Sequence, residues 1–64
     1  MIMKVYEVIE LLTADGWYLA RQKGSHMQFR HKTKPGVVTV PNHGRSHVLG
    51  HAMVSSILRQ AGLK

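Results

Sequence analysis

Two segments of this chain repeat their apolar residues with the period of a helix, and the stretch between them alternates with the period of a strand. That order restricts the fold more than any other feature. Val5, Val8, Ile9 and Leu12 fall at i, i+3, i+4 and i+7, one buried helical stripe, with Glu7 and Glu10 left for solvent. Gly16 stands where a left-handed residue would end the helix, so the spacing predicts a helix from Met3 to Asp15. Near the other end, Met53, Val54, Ile57, Leu58 and Ala61 form a second stripe, closed by Gly62 with Leu63 as its apolar contact.

Between the stripes the pattern is that of strands. Trp17 to Gln22 follows a breaker and is rich in aromatic residues, and Ser25 to His31 alternates Met27 and Phe29 with Gln28 and Arg30. Lys23-Gly24 reads as a two-residue hairpin turn, which sets Gln22 against Ser25 and Arg21 against His26. Counting back, Trp17, Leu19, Arg21, His26, Gln28 and Arg30 share one face, while Tyr18, Ala20, Met27 and Phe29 share the other; a bulge would scramble the first strand's half of this assignment. Lys34-Pro35-Gly36 is a turn, Val37 to Val40 a third strand ended by Pro41, and Asn42 to Gly50 a loop. The expectation is an α+β fold of order αβββα, with a three-stranded antiparallel sheet carrying both helices on one face. Trp17, Tyr18 and Phe29 could stack on bases, but in a chain with four aromatic residues they are expected in the core, as are Met27 and Met53.

Sixty-four residues read as a single domain, 1–64, and a chain this short buries only about 60% of the surface its unfolded form exposes. A thin core leaves no room for a deep cavity or a large cofactor. Chemistry on such a chain has to happen on an open face, which favours a macromolecular substrate and no small-molecule cofactor. There is no cysteine, so disulfides and thiolate metal sites are excluded. The apolar stretch from Val5 to Leu12 is broken by Glu7 and Glu10 and is neither a signal segment nor a membrane span. A soluble cytoplasmic protein without a membrane partner is the expectation.

Charge is divided sharply along the chain. Glu7, Glu10 and Asp15 are the only carboxylates, so residues 1–15 carry −2 and residues 16–64 carry +8, together with all five histidines. Such asymmetry points to a polyanionic partner. Arg21, Lys23, Arg30, Lys32 and Lys34 cluster around the hairpin and the next turn with no acid among them, as a phosphate-tracking surface requires.

Within that region Gly24-Ser25-His26 places a turn glycine, a small hydroxyl and an imidazole at the start of a strand. Asp15-Gly16-Trp17, Arg21-Gln22-Lys23-Gly24-Ser25-His26, Val40-Pro41-Asn42-His43 and Ser56-Ile57-Leu58-Arg59-Gln60-Ala61-Gly62-Leu63 follow the opening helix in order. In this set the chain resembles the HicA, or YcfA-like, family: small toxins of bacterial toxin–antitoxin pairs with a double-stranded-RNA-binding-domain-like fold that cleave messenger RNA. The resemblance implies that His26 is the catalytic histidine and that a HicB-like antitoxin is the protein partner. His51 departs from the pattern, which leads one to expect a threonine there and places the start of the second helix in question.

The residue types suit that chemistry. Metal-independent RNA cleavage uses the substrate's 2′-hydroxyl as nucleophile, so one group must take its proton, another must protonate the departing 5′-oxygen, and cations must stabilise charge on phosphorus. A neutral imidazole at His26 serves the first task, Arg21 or Lys23 the third, and Ser25 can hold a phosphate oxygen or the imidazole. His31, of opposite strand parity to His26, and His43, after the third strand, are not placed by the sequence for the second task. His43, His47 and His51 recur every four residues, but Gly44 and Gly50 interrupt any helix that would align them, and no carboxylate or cysteine completes a metal site. His43 reads instead as a residue that lines the RNA surface or hydrogen-bonds a loop. Arg21, Lys23, Ser25, Arg30, Lys32 and His43 are thus the expected RNA-binding residues, with messenger RNA as substrate. A non-catalytic RNA-binding module of the same fold is the alternative reading, and an inhibitor-like interaction protein a third.

Overall fold

A computed structural model describes residues 1–64. Seven elements follow in order: β1 (Met3–Lys4), α1 (Val5–Ala14), β2 (Tyr18–Lys23), β3 (His26–Arg30), β4 (Val38–Pro41), β5 (Val48–Leu49) and α2 (His51–Gln60). The three long strands form an antiparallel sheet in the order β2-β3-β4, and β1 pairs antiparallel with β5 as a separate two-residue ribbon. The α+β fold and three-stranded sheet expected from the sequence are present.

Both helices and the inner face of the sheet share one apolar cluster. Val5, Val8 and Leu12 of α1, Val54, Ile57 and Leu58 of α2, and Ala61 meet Met27 and Phe29 of β3, Val38 and Val40 of β4, and Trp17 and Leu49. Only 14 of the 64 residues are buried, so each large side chain holds a large share of the stability. Truncating a buried Phe typically costs about 3–5 kcal/mol, comparable to much of a small domain's margin.

The helix ends explain where each element stops. At Gly16, φ is +100°, and the Gly16 and Trp17 amides donate to the carbonyls of Thr13 (3.0 Å) and Leu12 (3.0 Å), the paired bonds of a Schellman motif. Gly62 repeats the device: its amide donates to the Arg59 carbonyl (3.1 Å), and that of Leu63 to the Leu58 carbonyl (2.8 Å). At the start of α1 the sequence reading is corrected. Met3 and Lys4 are extended and pair with Leu49 and Val48, so the helix begins at Val5. The helix's own Glu7 accepts from the Lys4 N–H through Oε1 (2.8 Å), and the first helical amides are satisfied from outside, Val5 N–H by the His47 carbonyl (2.9 Å) and Tyr6 N–H by the Arg45 carbonyl (3.0 Å). The segment read as a loop from Asn42 to Gly50 therefore contains β5 and caps α1.

Two further corrections concern burial. Met53 is exposed on the solvent side of α2, leaving Val54, Ile57 and Leu58 as that helix's buried stripe. Tyr18 is outside the core altogether, 51% exposed, while Trp17 and Phe29 are buried as expected.

Candidate active site

The β2–β3 hairpin turns at Gly24-Ser25, one residue later than the sequence suggested. Lys23 pairs with His26, Gln22 with Met27 and Arg21 with Gln28. Gly24 has φ +58° and Ser25 lies outside the positive-φ region, the pattern of a type II′ turn with glycine at its first central position. The register shift is two residues in the pairing sum, so it preserves parity: Arg21 remains on the His26 face while Lys23 takes the position directly opposite His26.

Parity then changes at a bulge. Register shifts between Leu19 and Arg21, so that Leu19 pairs with Phe29 and Tyr18 with Arg30. Residues directly opposite in an antiparallel pair share a face, and Met27 and Phe29 face the core. Leu19 is therefore on the core side at the sheet edge, and Tyr18 joins His26, Gln28 and Arg30 on the open side. This corrects the placement of Trp17 and Leu19 beside His26. The extra residue at the bulge absorbs one strand step, and all six residues of β2, the edge strand, are exposed.

On its other side β3 meets β4, with His26 opposite Pro41, Gln28 opposite Thr39, and Met27 and Phe29 opposite Val40 and Val38 on the core face. Asn42 fastens the end of β4 to the turn. Its N–H donates to the Ser25 carbonyl (2.6 Å), its Nδ2 to Met27 Sδ (3.0 Å), and its Oδ1 accepts from Gly44 N–H (3.0 Å). His26 thus sits between Lys23 and Pro41 at a braced end of the sheet. Cross-strand neighbours of this kind place their Cβ atoms about 4.5–5.5 Å apart.

Hydrogen bonds within the chain hold the rings of His31 and His51; the exposed His26 ring projects from the sheet without one. Ser25 is half-buried in the turn, and Arg21, Lys23 and Arg30 are exposed. His43 leaves the sheet one residue after Asn42, and its ring meets that of His47 edge-on at 5.6 Å. The Met1 amino group contacts the His51 ring. The structure brings Arg21, Lys23, His26 and Arg30 onto one face and Ser25 and His43 to the same end as His26. It places Lys32 past the opposite end of β3.

Lys34 leaves the basic cluster entirely. Its Nζ lies 2.5 Å from Asp15 Oδ2 and 3.1 Å from the Ala61 carbonyl, bridging the ends of both helices. The hydrogen bond from Lys34, aided by its charge, by the Trp17 indole N–H and by His31, outweighs partial desolvation and holds the Asp15 carboxyl below its ordinary value. With Asp15 so engaged and Glu7 and Glu10 on α1, the open sheet face contains no carboxylate. The surface depressions lie elsewhere, one bordered by Leu11, Ala14, Leu58 and Leu63 and the other by Trp17, Pro35 and Arg59.

Sequence reasoning missed Tyr18 as a member of this face. The signal that moves it is the bulge, which has no marker residue of its own in Leu19-Ala20-Arg21.

These features define a class: a small α+β protein whose uncovered sheet presents an imidazole among cations. The chain belongs to the HicA toxin family of bacterial toxin–antitoxin systems, whose profile matches residues 5–63. Comparison with curated proteins gives no match. Membership makes the chain a toxin-type component and implies an antitoxin as its counterpart. No helix is long and apolar enough to cross a membrane.

Proposed function

We propose that the chain is an endoribonuclease that cleaves messenger RNA without a metal, using His26 to move the proton. The observation that carries this reading is the exposed His26 with Lys23 directly across from it, on a face that also bears Arg21 and Arg30 and has no acid. Hard cations such as Mg²⁺ are held through carboxylate oxygens, and every carboxylate of the chain is either on α1 or paired with Lys34. Charge stabilisation at phosphorus falls to side chains. Lys23 and Arg21 supply it, Ser25 holds a phosphate oxygen in the turn, and His26 takes the 2′-hydroxyl proton or delivers one to the leaving oxygen. Positioned proton transfer of this kind is worth about 10²–10⁴-fold in rate. Arg30, Lys32 and His43 extend the track for the RNA backbone.

Family membership supports a toxin with an antitoxin counterpart; the setting proposed with it is the cytoplasm, and the antitoxin a HicB-like protein that covers His26. The test is incubation of purified protein with RNA in excess chelator. New RNA ends should appear with the parent protein and vanish with His26→Ala, which should also abolish growth inhibition while changing stability by no more than about 0.5 kcal/mol. Cleavage that survives His26→Ala, or a melting temperature that falls in parallel with activity, overturns the assignment. Binding without cleavage would make the chain an RNA-binding module.

A further inference from the structure

We infer that Tyr18 and Arg30 form a stacking subsite for an unpaired RNA base, at the end of the open sheet away from the turn. The inference rests on the ribonuclease reading of that face and assigns it a second ligand contact.

The aromatic residues are otherwise spoken for. Trp17 and Phe29 are each 2% exposed in the core, and Tyr6 is half-buried beneath the Arg45 guanidinium, 5.0 Å from its ring centroid. Tyr18 alone presents its ring to solvent, and it does so directly opposite Arg30. Its face is set by covalent geometry and hydrogen bonding: without the bulge before Arg21 it would point with Leu19's present side toward the helices. The bulge thus exchanges an apolar side chain for an aromatic one on the face that carries His26.

Unpaired RNA bases are recognised on flat aromatic rings and on guanidinium planes, and stacking tolerates any base because every base has a π-face. Tyr18 and Arg30 offer both kinds of plane on adjacent strands, in an arrangement that no acidic side chain interrupts. Arg30 is four residues from His26 along β3, about 13 Å at the rise of a strand. An extended RNA strand that places a phosphate between Lys23 and His26 can run along β3 and reach Tyr18 within a few nucleotides. The ligand is therefore single-stranded RNA, held by its backbone at one end of the sheet and by a base at the other.

The experiment uses the inactive His26→Ala protein and short fluorescent single-stranded RNA, with affinity read by anisotropy across a range of salt. Tyr18→Phe should bind as the parent does. Tyr18→Leu, which keeps apolar bulk on the strand, and Tyr18→Ala should each weaken binding by about 5- to 150-fold, the range of a lost base–aromatic stack, with the salt slope unchanged. An RNA with an abasic position at the stacked nucleotide should bind the parent as weakly as intact RNA binds Tyr18→Leu, and should not distinguish the two proteins. Parent-like affinity in Tyr18→Leu and Tyr18→Ala, with binding still weakened by Arg21→Gln, overturns the stacking subsite and leaves the RNA-binding face standing. Failure of the parent to bind RNA at any salt overturns that face and the subsite with it.

Discussion

The Nε2 of His31 lies 2.6 Å from the backbone carbonyl oxygen of Asp15, joining the turn after β3 to the end of α1. A carbonyl only accepts, so Nε2 carries the proton, and Nδ1 is left to accept from the amides of Thr33 (3.1 Å) and Lys34 (3.2 Å). The ring also meets Trp17 edge-on at 5.2 Å. His31 is thereby a structural histidine, and its neighbour Lys34 completes the join by bridging Asp15 and the Ala61 carbonyl.

Gly16→Ala should be among the more destabilising single-methyl changes in the protein. A Cβ there would stand 2.7 Å from His31 Nε2, and that ring is held from both nitrogens, so it cannot swing away at little cost. The backbone at φ +100° adds strain of its own, giving an expected loss of about 1–3 kcal/mol. Urea unfolding should show it. Adding His31→Ala should cost less in the Gly16→Ala background than in the parent, because there it also relieves the clash. An unchanged midpoint for Gly16→Ala would refute the contact.

Acid should weaken the parent in a way that Asp15→Asn does not. The Asp15 carboxyl, hydrogen-bonded to Lys34, titrates in the folded protein below the 3.8 of the free side chain. A depressed folded value means that its contribution to stability is full above 3.8 and is lost as pH falls through the lower folded value. Asp15→Asn should therefore be less stable than the parent at pH 7, with the gap narrowing as pH is lowered below about 4. Denaturant midpoints of both proteins at several pH values would decide it; a gap independent of pH would mean that the Lys34 pair contributes nothing through charge.

RNA binding by the His26→Ala protein should weaken linearly on a log–log salt plot, with a slope near −0.7 for each phosphate neutralised on a single strand. Arg21→Gln and Lys23→Gln should each shallow that slope. Lys34→Gln should leave it unchanged and lower thermal stability, because that cation is committed to Asp15 and Ala61. A shallower slope in Lys34→Gln would return Lys34 to the RNA surface.

An antitoxin that covers His26 must face Lys23, Arg21 and Arg30, so its contact surface should be acidic. Lys32, just past the end of β3, sits at the rim of such an interface, where charge mainly governs the rate of association. Lys32→Glu should slow binding more than it speeds dissociation. Stopped-flow association at low and high salt would show this, whereas an on-rate indifferent to both salt and Lys32→Glu would place the antitoxin on another side of the toxin.

How far the sequence could be read depended on which interactions were local. The stripes Val5-Val8-Leu12 and Val54-Ile57-Leu58, with Gly16 and Gly62 after them, mark the helices because their periodicity and caps are written within a few residues. The alternation of Met27 and Phe29 with polar residues likewise assigns β3 and puts His26 on the open face. The pairing of Met3–Lys4 with Val48–Leu49 was not legible, since two-residue strands have no period to detect and their partners are more than forty residues apart. Lys34 looked like one more cation of the hairpin cluster, because nothing local reveals that Asp15 and Ala61 converge on it. Met53 fitted the apolar stripe of α2 by type but lies outside the arc that the sheet covers.

The bulge in β2 gives the sheet two independent reading frames. From Arg21 to Lys23 the strand is phased by the turn, so the cations beside His26 keep their facing as long as Gly24 and Ser25 do. Before the bulge, the phase is set by the spare residue alone. Deleting Ala20 would leave Leu19 opposite Phe29 and Tyr18 opposite Arg30 in an unbroken ladder, whereas drawing Ala20 into the ladder would set Leu19 opposite Arg30 and turn Tyr18 toward the helices, with the histidine end untouched either way. Whether that one residue stands outside the ladder or inside it, rather than any change of side chain, therefore decides which side chains the far half of the open face presents.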